Sequence, residues 1–132
     1  MKKTLILASL LGALSLNAGV VKISSNITED LLMTSNNTYV LTDIIFVTNG
    51  ATLSIQEGTI IRGEPKSATF YDPGTLVIAR DGQIDAEGSP ANPIIFTTAA
   101  VVDGNGDYDT TIDYSTDVDY TGKTFLDSDP AD

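Results

Sequence analysis

Asp103-Gly104-Asn105-Gly106-Asp107-Tyr108-Asp109 sets oxygen-bearing side chains at alternate positions: Asp103, Asn105, Asp107 and Asp109. A hard cation such as calcium is wrapped by a short loop that offers carboxylates and amides at this spacing. Two positions depart from the usual calcium loop. Tyr108 stands where a glycine makes the sharp turn, and Tyr114 stands where a bidentate glutamate closes the shell. Two readings therefore stay open: a calcium site, or a solvated Asp/Gly/Asn loop. The other groups able to do chemistry are Arg62, Arg80, Asp81, Asp85 and Glu87. Cleavage of a polysaccharide needs a basic residue working with calcium, or two carboxylates at a fixed separation. Arg80, Asp81 and Glu87 sit beside Gly82 and Gly88, so they read as corner residues facing solvent. No residue is assigned a catalytic role, and the chain by itself is expected not to be an enzyme.

Composition removes most other chemistries. The chain has 132 residues, 18 acidic and 7 basic, with no His, Cys or Trp and a net charge of -11. That length gives room for one domain. Without Cys or His there is no zinc finger, haem ligand, iron–sulfur cluster, thiol nucleophile or Ser–His–Asp triad. So acidic a chain cannot replace the counterions on phosphate, which excludes a nucleic-acid partner. A hydrophobic share of 42% is too high for a disordered chain.

The elements that must position these residues begin after an address. Lys2 and Lys3, the apolar run Thr4 to Leu16, and the small residues Ala18 and Gly19 form the layout of a secretory signal peptide, assigned to residues 1–18. The run is shorter than the roughly 20 residues a membrane-spanning helix needs, so no span is expected once it is removed. Location is then extracytoplasmic, secreted or at the cell surface. Asn26-Ile27-Thr28 and Asn36-Asn37-Thr38 match the glycosylation acceptor pattern but read as chance matches in a Thr-rich stretch. Residues 19–37 are expected as an N-terminal cap or linker. Within them, Thr28 to Met33 carries a helix-start signal and fits a strand as well.

From residue 38 to 98 the chain reads as short β-branched runs closed by Gly-containing turns, and the rhythm occurs twice. Ile44 to Val47, Thr52 to Ile55 and Thr59 to Arg62 are echoed by Thr75 to Ala79, Gln83 to Ala86 and Pro93 to Thr97. One copy cannot bury its apolar face alone; stacking the second on the first does so. That stacking predicts Val47 beside Ile78 or Ala79, Leu53 and Ile55 on Ile84 and Ala86, and Ile60 near Ile95. It makes Ile84 as intolerant of Asp as Ile55. It also places Gly50, Gly58, Gly82 and Gly88 at corners, where φ is often positive.

Gly50-Ala51-Thr52-Leu53-Ser54-Ile55-Gln56-Glu57-Gly58-Thr59-Ile60-Ile61, then Thr75 to Gly88 and Asn92-Pro93-Ile94-Ile95-Phe96-Thr97, resembles the opening of large secreted bacterial right-handed parallel β-helix proteins of the pectin-lyase-like type. The resemblance implies an all-β solenoid scaffold, the N-terminal rungs of a longer and here incomplete helix, and no particular chemistry. Residues 99–132 change character: Asp103 to Asp132 holds nine Asp, one Lys and no Glu. They are expected as an acidic loop or insertion, with Tyr114 to Tyr120 as a weak strand or loop. The function expected is a non-catalytic extracytoplasmic scaffold. The alternatives are a calcium-dependent adhesion or glycan-binding module, or a fragment of a polysaccharide-active enzyme. Expected partners are a polysaccharide, or a second copy through the open solenoid edge.

Overall fold

The computed structural model describes residues 19–65 and 73–126, so the signal-peptide reading for residues 1–18 lies outside the described residues, as do residues 127–132. Nine strands follow one another: β1 (Gly19–Ile23), β2 (Leu31–Met33), β3 (Asn37–Leu41), β4 (Ile44–Val47), β5 (Thr52–Ile55), β6 (Ile60–Gly63), β7 (Thr75–Ile78), β8 (Gln83–Asp85) and β9 (Ile95–Thr98). They sort into three parallel sheets. The first has the order β1-β3-β6-β9, the second pairs β4 with β7, and the third has the order β2-β5-β8. Successive turns of chain visit the sheets in the same order, the first turn reaching the second sheet only through the bridge Ile27↔Val47, and this is a parallel β-helix.

Register carries like residues onto like. Val47 pairs with Ile78, Leu53 with Ile84 and Ile60 with Ile95, as the repeat predicts. Alternation decides which side chains go inward. Tyr39 and Leu41 of β3 enter the core with Ile45, Val47, Leu53, Ile55 and Ile61. Val40, between the first two, points outward and is buried by other means. Corners differ in why they need glycine. Gly50 follows Asn49 in a left-handed turn, with φ of 75° and 59°. Gly82 has no positive φ; an added Cβ there would lie 2.0 Å from the Val47 carbonyl oxygen, so chain approach forbids it.

The structure adds to several expectations. Residues 19–37, expected as an N-terminal cap or linker, carry paired strands. β1 pairs with β3 from Gly19↔Asn37 to Ile23↔Leu41, and β2 pairs with β5, so this stretch is the first turn of the solenoid. The helix-start signal at Thr28 is overridden because Leu31 and Met33 can stack on Leu53 and Ile55. Ile84 lies in the inward ladder above Leu53 but is 42% exposed, since among the described residues no strand stacks beyond β8. The acidic segment is not a solvated loop throughout. Residues 100–102 clamp onto residues 124–126, with Val102 N–H donating to the Thr124 carbonyl (3.0 Å) and Leu126 N–H to the Ala100 carbonyl (2.7 Å). The enclosed chain lies on the outer face of the first sheet as a strap, burying Tyr114, Val118 and Tyr120 against Val40, Ala99 and Val101. No named strand runs through Tyr114 to Tyr120.

Candidate functional site

The outward row of the first sheet is set by register: Lys22 on β1 faces Val40 on β3, which faces Arg62 on β6, which faces Thr97 on β9. Outward positions on a strand normally meet water. Here the strap covers them. Arg62 is 6% exposed; its Nη1 donates to the Thr98 carbonyl (3.0 Å) and its guanidinium lies 4.2 Å from the Phe125 ring centroid. Cation–π contact of this kind stabilises a desolvated cation. Phe125 in turn stacks on Tyr120, centroids 5.6 Å apart. Lys22 forms an ion pair with Asp117 of the strap and lies 5.8 Å from the Tyr120 ring.

Glu64, just past β6, completes the cluster. It is 6% exposed, and the Tyr120 hydroxyl donates to its Oε1 at 2.5 Å. Burial pushes the Glu64 carboxyl above its ordinary value, and the Tyr120 hydrogen bond and the Lys22 charge pull it partway back. Burial also pushes the Tyr120 hydroxyl up, reinforced by its bond to Glu64. Tyr114 is raised by burial too, although its Oη accepts the Val101 N–H (2.9 Å). This is a buried polar hub in which each charge has a specific neighbour.

Of the residues singled out for calcium, three lie in one turn and the fourth caps the next. Asp103 Oδ1 accepts the backbone N–H of Asn105 (2.8 Å) and of Asp107 (3.1 Å), so these three share one turn. Asp109 turns away, its Oδ1 accepting the N–H (2.9 Å) and the hydroxyl (2.6 Å) of Thr111. Asp113 does the same for Ser115, and Asp119 accepts the Thr121 N–H. These bonds hold the carboxyls of Asp109, Asp113 and Asp119 below the usual aspartate value. Among the described residues no group of three or more acidic side chains gathers as a metal site. The acidic character of the strap thus has a local use: Asp103, Asp109, Asp113 and Asp119 each cap a turn two residues on.

The remaining candidates are scattered. Arg80 and Asp81 lie at a corner, where Asp81 accepts from the Thr48 hydroxyl (3.0 Å) and the Asn49 N–H (2.9 Å). Asp85 and Glu87 line an open cleft on the third sheet with Thr34, Ser54, Gln56 and Glu57. Arg62 is on the first sheet beneath the strap. The structure does not bring these five together. The Glu64–Tyr120 contact spans 56 residues, and no local spacing announces it.

Residues 25–112 match the family model described as a pectate-lyase-like beta helix domain. The chain belongs to this family. No curated protein and no solved structure matches it. In this pectate-lyase-like β-helix domain the match runs from the first turn of the solenoid into the strap, past Asp109. Among the described residues no helix is long and apolar enough to cross a membrane.

Proposed function

We propose that this β-helix domain is a non-catalytic scaffold of a secreted or cell-surface protein, and that its open end stacks on a second copy of the chain. The observation that carries the reading is the end face of the last turn. Ile78, Ile84 and Phe96 continue the inward ladders of Val47, Leu53 and Ile61. The lower members are buried, whereas Ile78, Ile84 and Phe96 are 36%, 42% and 54% exposed. An edge strand such as β9, with neither charge nor proline, is a template for another strand. Secretion is supported by the charge–apolar–small order of residues 1–18.

Sedimentation of the secreted chain over a range of concentrations tests the stacking. Mass should rise with concentration, and the pair Ile84→Lys with Phe96→Lys should return the chain to monomer. A wild-type chain that stays monomeric at all concentrations overturns it. Release of oligosaccharides from acidic polysaccharides, with or without calcium, would overturn the non-catalytic half.

A further inference from the structure

Glu64 is the buried carboxyl at the junction of solenoid and strap. It is fixed on the solenoid side by its place directly after β6, where its N–H donates to the Leu41 carbonyl (2.9 Å). Its side chain meets the strap through Tyr120. Among the described residues, the charged and titratable groups that act on it are Lys22 from β1 and Tyr114, Asp117 and Tyr120 from the strap, and Arg62 stands two residues before it on β6. The two cations are already engaged: Lys22 with Asp117 of the strap, and Arg62 with Phe125 of the strap and with the Thr98 carbonyl at the end of β9. An ionised Glu64 beneath the closed strap therefore loses its water and gains one hydroxyl donor and a shared cation. A neutral Glu64 keeps the Tyr120 bond and avoids the desolvation.

We propose that Glu64 is a proton-operated latch: the strap clamps onto the first sheet while Glu64 is protonated and loosens as the pH rises and Glu64 ionises. The sign follows from linkage. With the strap open, Glu64 meets water and titrates as an ordinary carboxyl. With the strap closed, burial holds its pKa above that value. The closed form thus binds the proton more tightly. Its advantage is complete below the ordinary value and is lost as pH climbs through the raised one. The strap's own carboxyls oppose this in stronger acid. Asp109, Asp113 and Asp119 are held below the usual value, so their turns weaken as pH falls through those lowered pKa values. Between the two flanks the strap is tightest.

The test is amide hydrogen exchange by NMR on the whole chain, with protection corrected for intrinsic rate, from about pH 4, near the ordinary glutamate value, to about pH 8. The reporters are the Val101, Asp109 and Leu126 amides, whose acceptors are Tyr114 Oη, the Val101 carbonyl and the Ala100 carbonyl. Their protection should fall by up to about tenfold per pH unit through the Glu64 titration. The Gln56 and Ala79 amides, in the solenoid, should stay level. Glu64→Gln should flatten the strap profile. Tyr120→Phe removes a bond that stabilises the carboxylate, so the midpoint should move to higher pH. A level wild-type profile, a slope that survives Glu64→Gln, or a midpoint that stays or falls in Tyr120→Phe each overturns the latch. Should Glu64→Gln fail to fold, the wild-type and Tyr120→Phe profiles decide it.

Discussion

The solenoid and the strap lie against each other but are held by different physics. The solenoid repeats one solution: short parallel strands whose backbone groups pair, with aliphatic side chains in inward ladders such as Leu31–Leu53–Ile84. Any interior position resembles its neighbours above and below. The strap has no such redundancy. It rests on Tyr114, Val118 and Tyr120, on a few charged contacts, and on turns capped one at a time by Asp103, Asp109, Asp113 and Asp119. Stability in the first is spread along the stack; in the second it is concentrated in single side chains. The strap should therefore open without unfolding the solenoid, whereas the converse is forbidden because the strap's floor is the first sheet.

The largest effect expected breaks the solenoid and depends on height in the stack. Leu53 and Ile84 are register partners, yet Leu53 is fully buried and Ile84 is 42% exposed. Leu53→Asp buries an unpaired charge, which costs several kcal/mol, enough to unfold a small domain. Ile84→Asp leaves its carboxylate in reach of water and should fold. Thermal melts followed by circular dichroism compare the two. Equal loss at both sites would mean that the last turn is covered and the ladder closed.

Next in size is a strap-only change. Tyr120 is 3% exposed, stacks on Phe125 and bonds to Glu64. Tyr120→Ala should lower the free energy of strap opening by about 3 kcal/mol, the usual consequence of truncating a buried aromatic. Exchange at the Leu126 amide should then accelerate, with solenoid amides unchanged. A matching loss in the solenoid would show that the two regions unfold as one unit.

The contrast also explains what the sequence discloses. Alternation and Gly-closed turns are local signals, so Ile44 to Val47, Thr52 to Ile55 and their echoes name both the strands and their register. The first turn lacked that punctuation. Thr28-Glu29-Asp30 imitates a helix start, and only the stack beneath Leu53 and Ile55 reveals Leu31 to Met33 as a strand. The hub is hidden for a related reason. Arg62 and Glu64 sit on a strand and just past it with an alternation that points to solvent, and the groups that cover them lie 56 and more residues further along. The Asp residues of the strap were legible as oxygen donors. Their acceptance of nearby N–H groups, a competing use of the same carboxylates, was the part that spacing alone left open.

A smaller effect is expected at the corner between the second and third sheets. Asp81 holds Thr48 and Asn49 of the turn below, and those bonds keep its carboxyl below the usual aspartate value. A lowered value means that the stabilisation is present above the ordinary pKa and is lost as pH falls through the folded one. Asp81→Ala should lower the melting temperature at neutral pH, and the gap from wild type should close in strong acid. A gap of constant size down to acid would assign the effect to packing, because the carboxylate would then have no part in it.

The smallest effect tests the inward–outward assignment itself. Asp85 follows Ile84 on β8, so the pleat sends it to the outer face, where it pairs in register with Ser54 and stays exposed. An outward side chain in water contributes little to the stack, and reversing its charge leaves every ladder hydrogen bond in place. Asp85→Lys should change stability by no more than about 0.5 kcal/mol. It also removes a negative charge from a strongly acidic chain and sets a cation near Glu57 and Glu87 on the same cleft, which favours the folded form slightly. Urea unfolding of this variant beside Ile84→Asp gives neighbouring positions with opposite faces on the same exposed strand. If the Lys variant were the less stable of the two, the pleat would run the other way and the Leu31–Leu53–Ile84 ladder would face solvent.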